Sequence, residues 1–235
     1  MDYAIIAAGE GSRLLQDGIT TPKPLIKIQG IPMIERLIRI FLKNSASSIS
    51  VIVNDEMKEV QEYLKNSRIP VPFHLRIQST PSSMHSLYEL SRYLENDRFC
   101  LTTVDTIFME DEFSGYIQAF KNSDRLDGLM AVTDFVDDEK PLYVKTDSGL
   151  KILNFLDLPE TGCAYVSGGI YCLRRTVIPV LENAVSEGMS RMRNYQRRLV
   201  SEGLNLKAYP FSKIIDIDHA SDISKAEAFL LKKAQ

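Results

Sequence analysis

Tyr3-Ala4-Ile5-Ile6-Ala7-Ala8-Gly9-Glu10-Gly11-Ser12-Arg13 stands at the start of the chain, and its reading decides the fold. The first five residues are an apolar run of strand length. The glycines follow at once, where the carboxyl end of a buried strand opens into a loop; ligands bind at that place in open α/β sheets. Gly9 and Gly11 allow a tight turn and close approach to an anion, with peptide N–H groups presented to phosphate oxygens. Arg13 adds a forked donor. Farther on, Pro22-Lys23-Pro24-Leu25 supplies a compact charge on a backbone restrained by proline on both sides. The combination suits a polyphosphate.

Outward from this loop, strand-like and helix-like runs alternate. Met33, Ile34, Leu37, Ile38, Phe41 and Leu42 recur at helical spacing, with Arg36, Arg39 and Lys43 on the other face. Residues 50–53 read as a strand, 56–65 as a helix and 74–77 as a strand. Ser86-Leu87-Tyr88-Glu89 has capping-box spacing and opens a helix toward Leu94. Residues 99–104 form an apolar strand ending at Asp105. This order predicts a mainly parallel sheet with helices on both faces and right-handed crossovers. From Gly128 to Leu173 the pattern changes to strands at 129–132, 143–145, 152–155 and 165–173, an antiparallel extension over one end of the sheet. Helices return at 177–186 and 191–202. A strand pair, 206–209 with 214–217, precedes a terminal helix striped by Ile223, Ala226, Phe229 and Leu230. No repeat or linker interrupts this order. The expectation is one domain over 1–235, with a nucleotide-binding half to about 125 and an acceptor-side half from about 126.

The bulk properties bound the function classes. Apolar content of 44% with 25% charged residues, over 235 residues, is that of a globular chain able to bury a sizeable core. A net charge of −3 gives no argument for nucleic acid or an anionic membrane, so any anion site is local. Cys100, Cys163 and Cys172 lack metal-ligand spacing and read as reduced thiols, two of them in core strands. The first apolar run is too short to span a membrane and carries Asp2 where a secretory signal is basic. A cytoplasmic protein is expected.

The loop lacks the Lys-Ser/Thr ending of a P-loop and the third glycine of a dinucleotide fingerprint. Ala-Ala-Gly-x-Gly-x-Arg followed by Pro-Lys-Pro-Leu instead resembles the signature of the sugar-phosphate nucleotidyltransferase superfamily. That superfamily includes nucleotide-sugar synthesising enzymes, cytidylyltransferases acting on phosphocholine, and molybdenum-cofactor guanylyltransferases. The resemblance follows most of the chain in order and is close over its first 35 residues. It implies a Rossmann-like α/β/α sandwich with a mixed, mainly parallel sheet. It also implies Mg²⁺-dependent transfer of a nucleoside monophosphate from a triphosphate to a phosphorylated acceptor, with release of pyrophosphate.

By the same resemblance, Asp105 matches the family's metal-binding aspartate, and a hard carboxylate oxygen at a strand end suits Mg²⁺. The second metal aspartate falls in Ile215-Asp216-Ile217-Asp218, where Asp218 matches best. Asp216 shares its strand face and stays open as the alternative. Asp222 caps the last helix. Arg13 and Lys23 are expected on the β- and γ-phosphates. The base and phosphates are expected along Ala7, Ala8, Gly9, Glu10, Gly11 and Ser12 and the polar loop holding Gln78, Ser79 and Ser83. Ser82-Ser83-Met84-His85 looks nearer to the phosphocholine-type members. On the acceptor side, Gly168 and Gly169 resemble a strand where the backbone approaches the acceptor. The family's Glu-Lys-Pro is replaced there by Leu156-Asp157-Leu158-Pro159, so Lys140, Arg191 or Arg193 is expected to take the lysine's part, unless the acceptor is not a typical sugar 1-phosphate. The Asp-x-Asp of a glycosyltransferase is missing, because Thr106 and Ile107 follow Asp105. A molybdenum-cofactor guanylyltransferase and a non-catalytic nucleotide sensor remain as alternatives.

Overall fold

In the computed structural model, which describes residues 1–137 and 139–231, the first strand, β1 (Asp2–Ala7), is buried along its whole length. Tyr3, Ile5 and Ala7 enter one core, and Ala4 and Ile6 enter another. Successive side chains of a strand point to opposite faces, so a strand apolar at every position is one covered on both sides. Asp2 pins its start by accepting hydrogen bonds from Ser48 Oγ at 2.8 Å and the Asn96 backbone at 2.8 Å.

After β1 come α1 (Ser12–Gln16), the small antiparallel pair β2 (Lys27–Ile28) and β3 (Ile31–Pro32), and α2 (Met33–Lys43). Two strand–helix units and a further strand follow: β4 (Ser48–Val53), α3 (Lys58–Lys65), β5 (Phe73–Ile77), α4 (Ser83–Leu90) and β6 (Arg98–Thr103). β4 and β6 flank β1 in parallel, and β5 adds outside β4. The chain continues through β7 (Thr106–Ile107), α5 (Glu110–Lys121), β8 (Gly128–Thr133), β9 (Tyr143–Thr146), β10 (Ile152–Leu156) and the long β11 (Tyr165–Arg174). It closes with α6 (Ile178–Ser186), α7 (Met192–Ser201), β12 (Leu206–Pro210), β13 (Ile215–Asp216) and α8 (Ala220–Leu231). Helices α2, α3 and α5 cover one face, α4, α6 and α7 the other, and α8 closes a third small cluster with Leu14, Ile28 and Ile217. No described helix is long and apolar enough to cross a membrane.

The antiparallel segment is present, but its longest strand lies inside the sheet. β11 runs antiparallel between β6 and β8, and only β9 and β10 branch away from its first residues. Cys100 and Cys172 face each other across the β6–β11 pair, both buried and free. The expected pairing of 206–209 with 214–217 is corrected. β12 sits parallel to β8 while β13 pairs with β7, because Leu206 and Ala208 feed one core and the flanking Tyr209 packs on the other.

Two other expectations change. α4 begins at Ser83, and Ser86 lies inside it with its hydroxyl 2.7 Å from Thr80 Oγ1, while Glu89 pairs with Arg76 and Arg92 rather than capping. Arg36 is not on a solvated face: it is buried and donates to the Phe108 carbonyl at 2.8 Å.

β11 carries a bulge between Ser167 and Tyr171, at Gly168 and Gly169. The Tyr116 hydroxyl mends the ladder beside it, donating to Leu129 O at 2.5 Å and accepting from Cys172 N at 2.7 Å. A Cβ on Gly168 would stand 2.2 Å from Ile214 Cδ1. Gly168→Ala should therefore lower stability by about 1–3 kcal/mol through overpacking, read by denaturant melts. Combined with Ile214→Ala, the loss should be less than the sum of the two single changes.

Candidate active site

The short β7–β13 pair draws two distant carboxylates together. Asp216 stands opposite Thr106, and Ile217 N donates to Asp105 O at 3.1 Å. Asp105 sits in the turn between β6 and β7, and Asp218 lies just past the end of β13. Asp222, near the start of α8, accepts from Asp218 N at 3.2 Å and His219 N at 2.8 Å, reaching back as a helix cap does.

Between the carboxylates lies Lys23, its Nζ 2.6 Å from Asp105 Oδ2 and 2.9 Å from Asp218 Oδ1. Arg13 Nη1 holds the other oxygen of Asp218 at 2.8 Å, and its Nη2 lies 3.6 Å from Glu139. Burial pushes Asp105 up. The Lys23 ammonium, by its charge and then its hydrogen bond, and Thr103 overcome this and hold the carboxyl below its ordinary value. Burial likewise opposes the charge on Lys23, but the fields of Asp105 and Asp218 prevail and raise its pKa. Asp105 and Lys23 are therefore both charged at neutral pH.

This cluster separates two spaces. The first, of about 350 Å³, is lined by Ala8, Gly9, Glu10, Gly11 and Lys23, by the 80–83 segment and Ser86, and by Thr103 and Asp105. Gly11 has φ 66°, a left-handed conformation that favours glycine, and it lies in van der Waals contact with the Lys23 stem. Gly9 has open space around its missing Cβ. The second space, of about 560 Å³, shares Ser83, Thr103 and Asp105 with the first and adds Lys140, Ser167, Gly169, Tyr171, Arg191, Arg193, Gln196, Asp216 and Asp218.

Most of the residues singled out from sequence thus meet at one cleft, with definite exceptions. The Ala7 side chain is buried in the core, and Ser12 is exposed at the start of α1 outside the lining. Gln78 and Ser79 also stand away: Gln78 receives the Arg76 guanidinium, and Ser79 Oγ accepts from Asp55 N at 3.3 Å. β5 ends at Ile77, and the chain reaches the cleft only at Thr80. Gly168 packs beneath Ile214, whereas Gly169, at φ 71°, abuts Thr103 Oγ1 and lines the second space. Arg193 lines that space while bound to Asp157 at 2.6 Å. His219 pairs with Asp17 at 3.0 Å. Thr103, Ser167, Tyr171 and Gln196 were not singled out; Ser167 and Tyr171 flank the paired glycines, a usable signal, but nothing in sequence marks Gln196.

Asp105 and Asp218 aim oxygens at one point, as their shared contact with Lys23 Nζ demonstrates. Among the described residues no cluster of three or more potential ligands forms a closed cage. Such a pair fits Mg²⁺, which takes one or two carboxylates and completes its shell with water and phosphate oxygens.

Residues 3–200 match the family described as the MobA-like NTP transferase domain. The "Bifunctional protein GlmU" of Methanococcus maripaludis is 25% identical over 99% of this chain and 55% of its own length. The chain spans about half the length of the first curated relatives it matches. The "2-aminoethylphosphonate cytidylyltransferase" of Lancefieldella rimae is 31% identical over 46% of this chain and 44% of its own. Among solved structures, the inositol-1-phosphate CTP transferase of T. maritima superposes with a TM-score of 0.82 at 18% identity, covering 98% of this chain and 95% of that one.

The lowered pKa of Asp105 sets a pH dependence. A carboxyl whose folded pKa lies below its unfolded value adds stability above the unfolded value and loses it as pH falls through the folded one. The contribution is therefore constant at neutral pH and disappears below the ordinary value of 3.8. Thermal melts between pH 5 and 3 should fall less steeply for Asp105→Asn than for the parent chain.

Proposed function

The chain belongs to the MobA-like NTP transferase family and is a nucleotidyltransferase, and from that premise we propose that it transfers a cytidylyl group from CTP to the phosphate of a phosphorylated sugar or other polyol. The observation that carries the reading is Lys23 Nζ bridging Asp105 and Asp218 at the mouth of a glycine-lined cleft. The triphosphate lies in the first space, with the peptide N–H groups of 9–11 and the side chains of Arg13 and Lys23 on its phosphates. The hydroxyls of Thr80, Ser83 and Ser86 face the base. The relative named as a cytidylyltransferase, 31% identical over 46% of this chain, supports CTP as donor.

The acceptor occupies the second space. Lys140, Arg191 and Arg193 suit its phosphate, and Ser167, Tyr171 and Gln196 offer neutral donors and acceptors to hydroxyl groups. A quaternary ammonium would meet those three cations instead, which favours a polyol phosphate over phosphocholine. An acceptor phosphate oxygen attacks the α-phosphorus; the new P–O bond forms as the bond to the β-phosphate oxygen breaks, and pyrophosphate leaves. That oxygen is already anionic near neutral pH, so the protein supplies alignment and positive charge rather than a strong base. Asp105 and Asp218 would hold Mg²⁺, which when bound neutralises charge on the phosphates.

A coupled pyrophosphate assay with CTP, UTP, GTP and dTTP against sugar phosphates, inositol phosphate and phosphocholine tests this. Release should require CTP and a polyol phosphate, and Asp105→Ala or Lys23→Ala should lower kcat by roughly 10²–10³. GTP selectivity without turnover of these acceptors would favour a guanylyltransferase. Triphosphate binding without any pyrophosphate release would mark a nucleotide sensor.

A further inference from the structure

The point on which Asp105 and Asp218 converge holds a cation that belongs to the protein. Lys23 Nζ touches both carboxylates, and its side chain is only 9% exposed. A divalent ion bound by those oxygens and an ammonium within 3 Å of both cannot share the place, because the two cations would repel each other there. We infer that Lys23 is an internal counter-ion that must leave the two carboxylates before a divalent cation can bind, and that the arriving triphosphate draws it away. This rests on the proposed function, which makes Asp105 and Asp218 the metal's ligands.

The local geometry equips Lys23 for both positions. Its stem packs against Gly11, where even a Cβ would stand 3.4 Å from Lys23 Cβ, so the ammonium rises beside the loop that faces the phosphates. Pro22 and Pro24 restrain the backbone around it, and the four-carbon stem carries the ammonium on rotatable bonds. Arg13 Nη1 holds the far oxygen of Asp218 at 2.8 Å, so that carboxylate has a second cationic partner besides the lysine. With no nucleotide, a metal competes against a resident ammonium. With a triphosphate present, each cation has its own anion. Binding of metal and of triphosphate is thereby coupled through one side chain, and each raises the other's affinity by the same factor.

The test measures Mn²⁺ binding by electron paramagnetic resonance without nucleotide, on the parent chain, Lys23→Met and Lys23→Arg, each checked for fold by circular dichroism. Lys23→Met should bind Mn²⁺ roughly 5- to 150-fold more tightly than the parent, the usual range of such couplings, although it binds CTP more weakly. Its melting temperature should drop without metal and recover with Mn²⁺, because two carboxylates are left facing each other. Lys23→Arg, which keeps the charge, should stay near the parent; Lys23→Gln replaces the methionine variant if that one fails to fold. Equal Mn²⁺ affinity in the parent and the neutral variants overturns the counter-ion role and leaves the proposed function standing. No Mn²⁺ binding by any of them, with or without CTP, removes Asp105 and Asp218 as the metal's ligands and takes both readings down.

Discussion

Four residues of backbone pairing, Thr106 and Ile107 of β7 against Ile215 and Asp216 of β13, hold together everything chemical in this molecule. The pair is too short to be stable alone, since an isolated two-stranded ribbon is marginal in water at best. It is kept by what surrounds it: Ile107, Ile215 and Ile217 are buried in the cluster beneath α8, and the main sheet ends beside it at Thr103. Once it forms, Asp105 and Asp218 are forced close, and two carboxylates in one site cannot both ionise without a counter-charge. Lys23 and Arg13 supply it. An ion cluster is weak evidence for stability, and this one, with Lys23 enclosed and Arg13 and Asp218 partly open to solvent, points to chemistry rather than to packing.

The parts legible in the sequence are those whose signal is local. β1 and the glycine loop read correctly because a doubly covered strand has no polar position to mislead, and because φ 66° at Gly11 asks for one residue type. α2, α6, α7 and α8 read correctly from apolar spacing. Pairing partners did not, because β7 and β13 are two residues each and carry no periodicity. The choice between Asp216 and Asp218 shows the same limit. Alternation put both on one face, but the strand ends at Asp216, so the rule stops applying before Asp218 is reached. Asp218 takes the Lys23 and Arg13 contacts, while Asp216 lines the neighbouring space.

Glycines were the most ambiguous letters. Gly168 and Gly169 look alike in sequence, and the structure gives them different work. Gly168 yields room to Ile214, and Gly169 lets the bulged strand pass against Thr103, whose hydroxyl lies 2.8 Å from Thr106 Oγ1 in the turn that carries Asp105. A residue absent for packing reasons and one absent for backbone reasons cannot be told apart until the neighbours are known.

The two spaces are also not independent lobes. Ser82 lines the first space, and its Oγ accepts a 3.1 Å hydrogen bond from the backbone N of Arg191, the residue that leads α7 along the second. Arg191 has φ 72° and ψ 133°, a conformation that glycine alone adopts without strain, at a cost of order 1–3 kcal/mol. Strain of that size persists only where surrounding contacts over-determine it. Here those contacts come from Ser82 on one side and from Tyr195 and Leu199 of α7, buried in the core, on the other. A shift of the 80–83 segment would therefore act directly on the position of Arg191. The two spaces are joined physically through one hydroxyl and one unfavourable backbone angle.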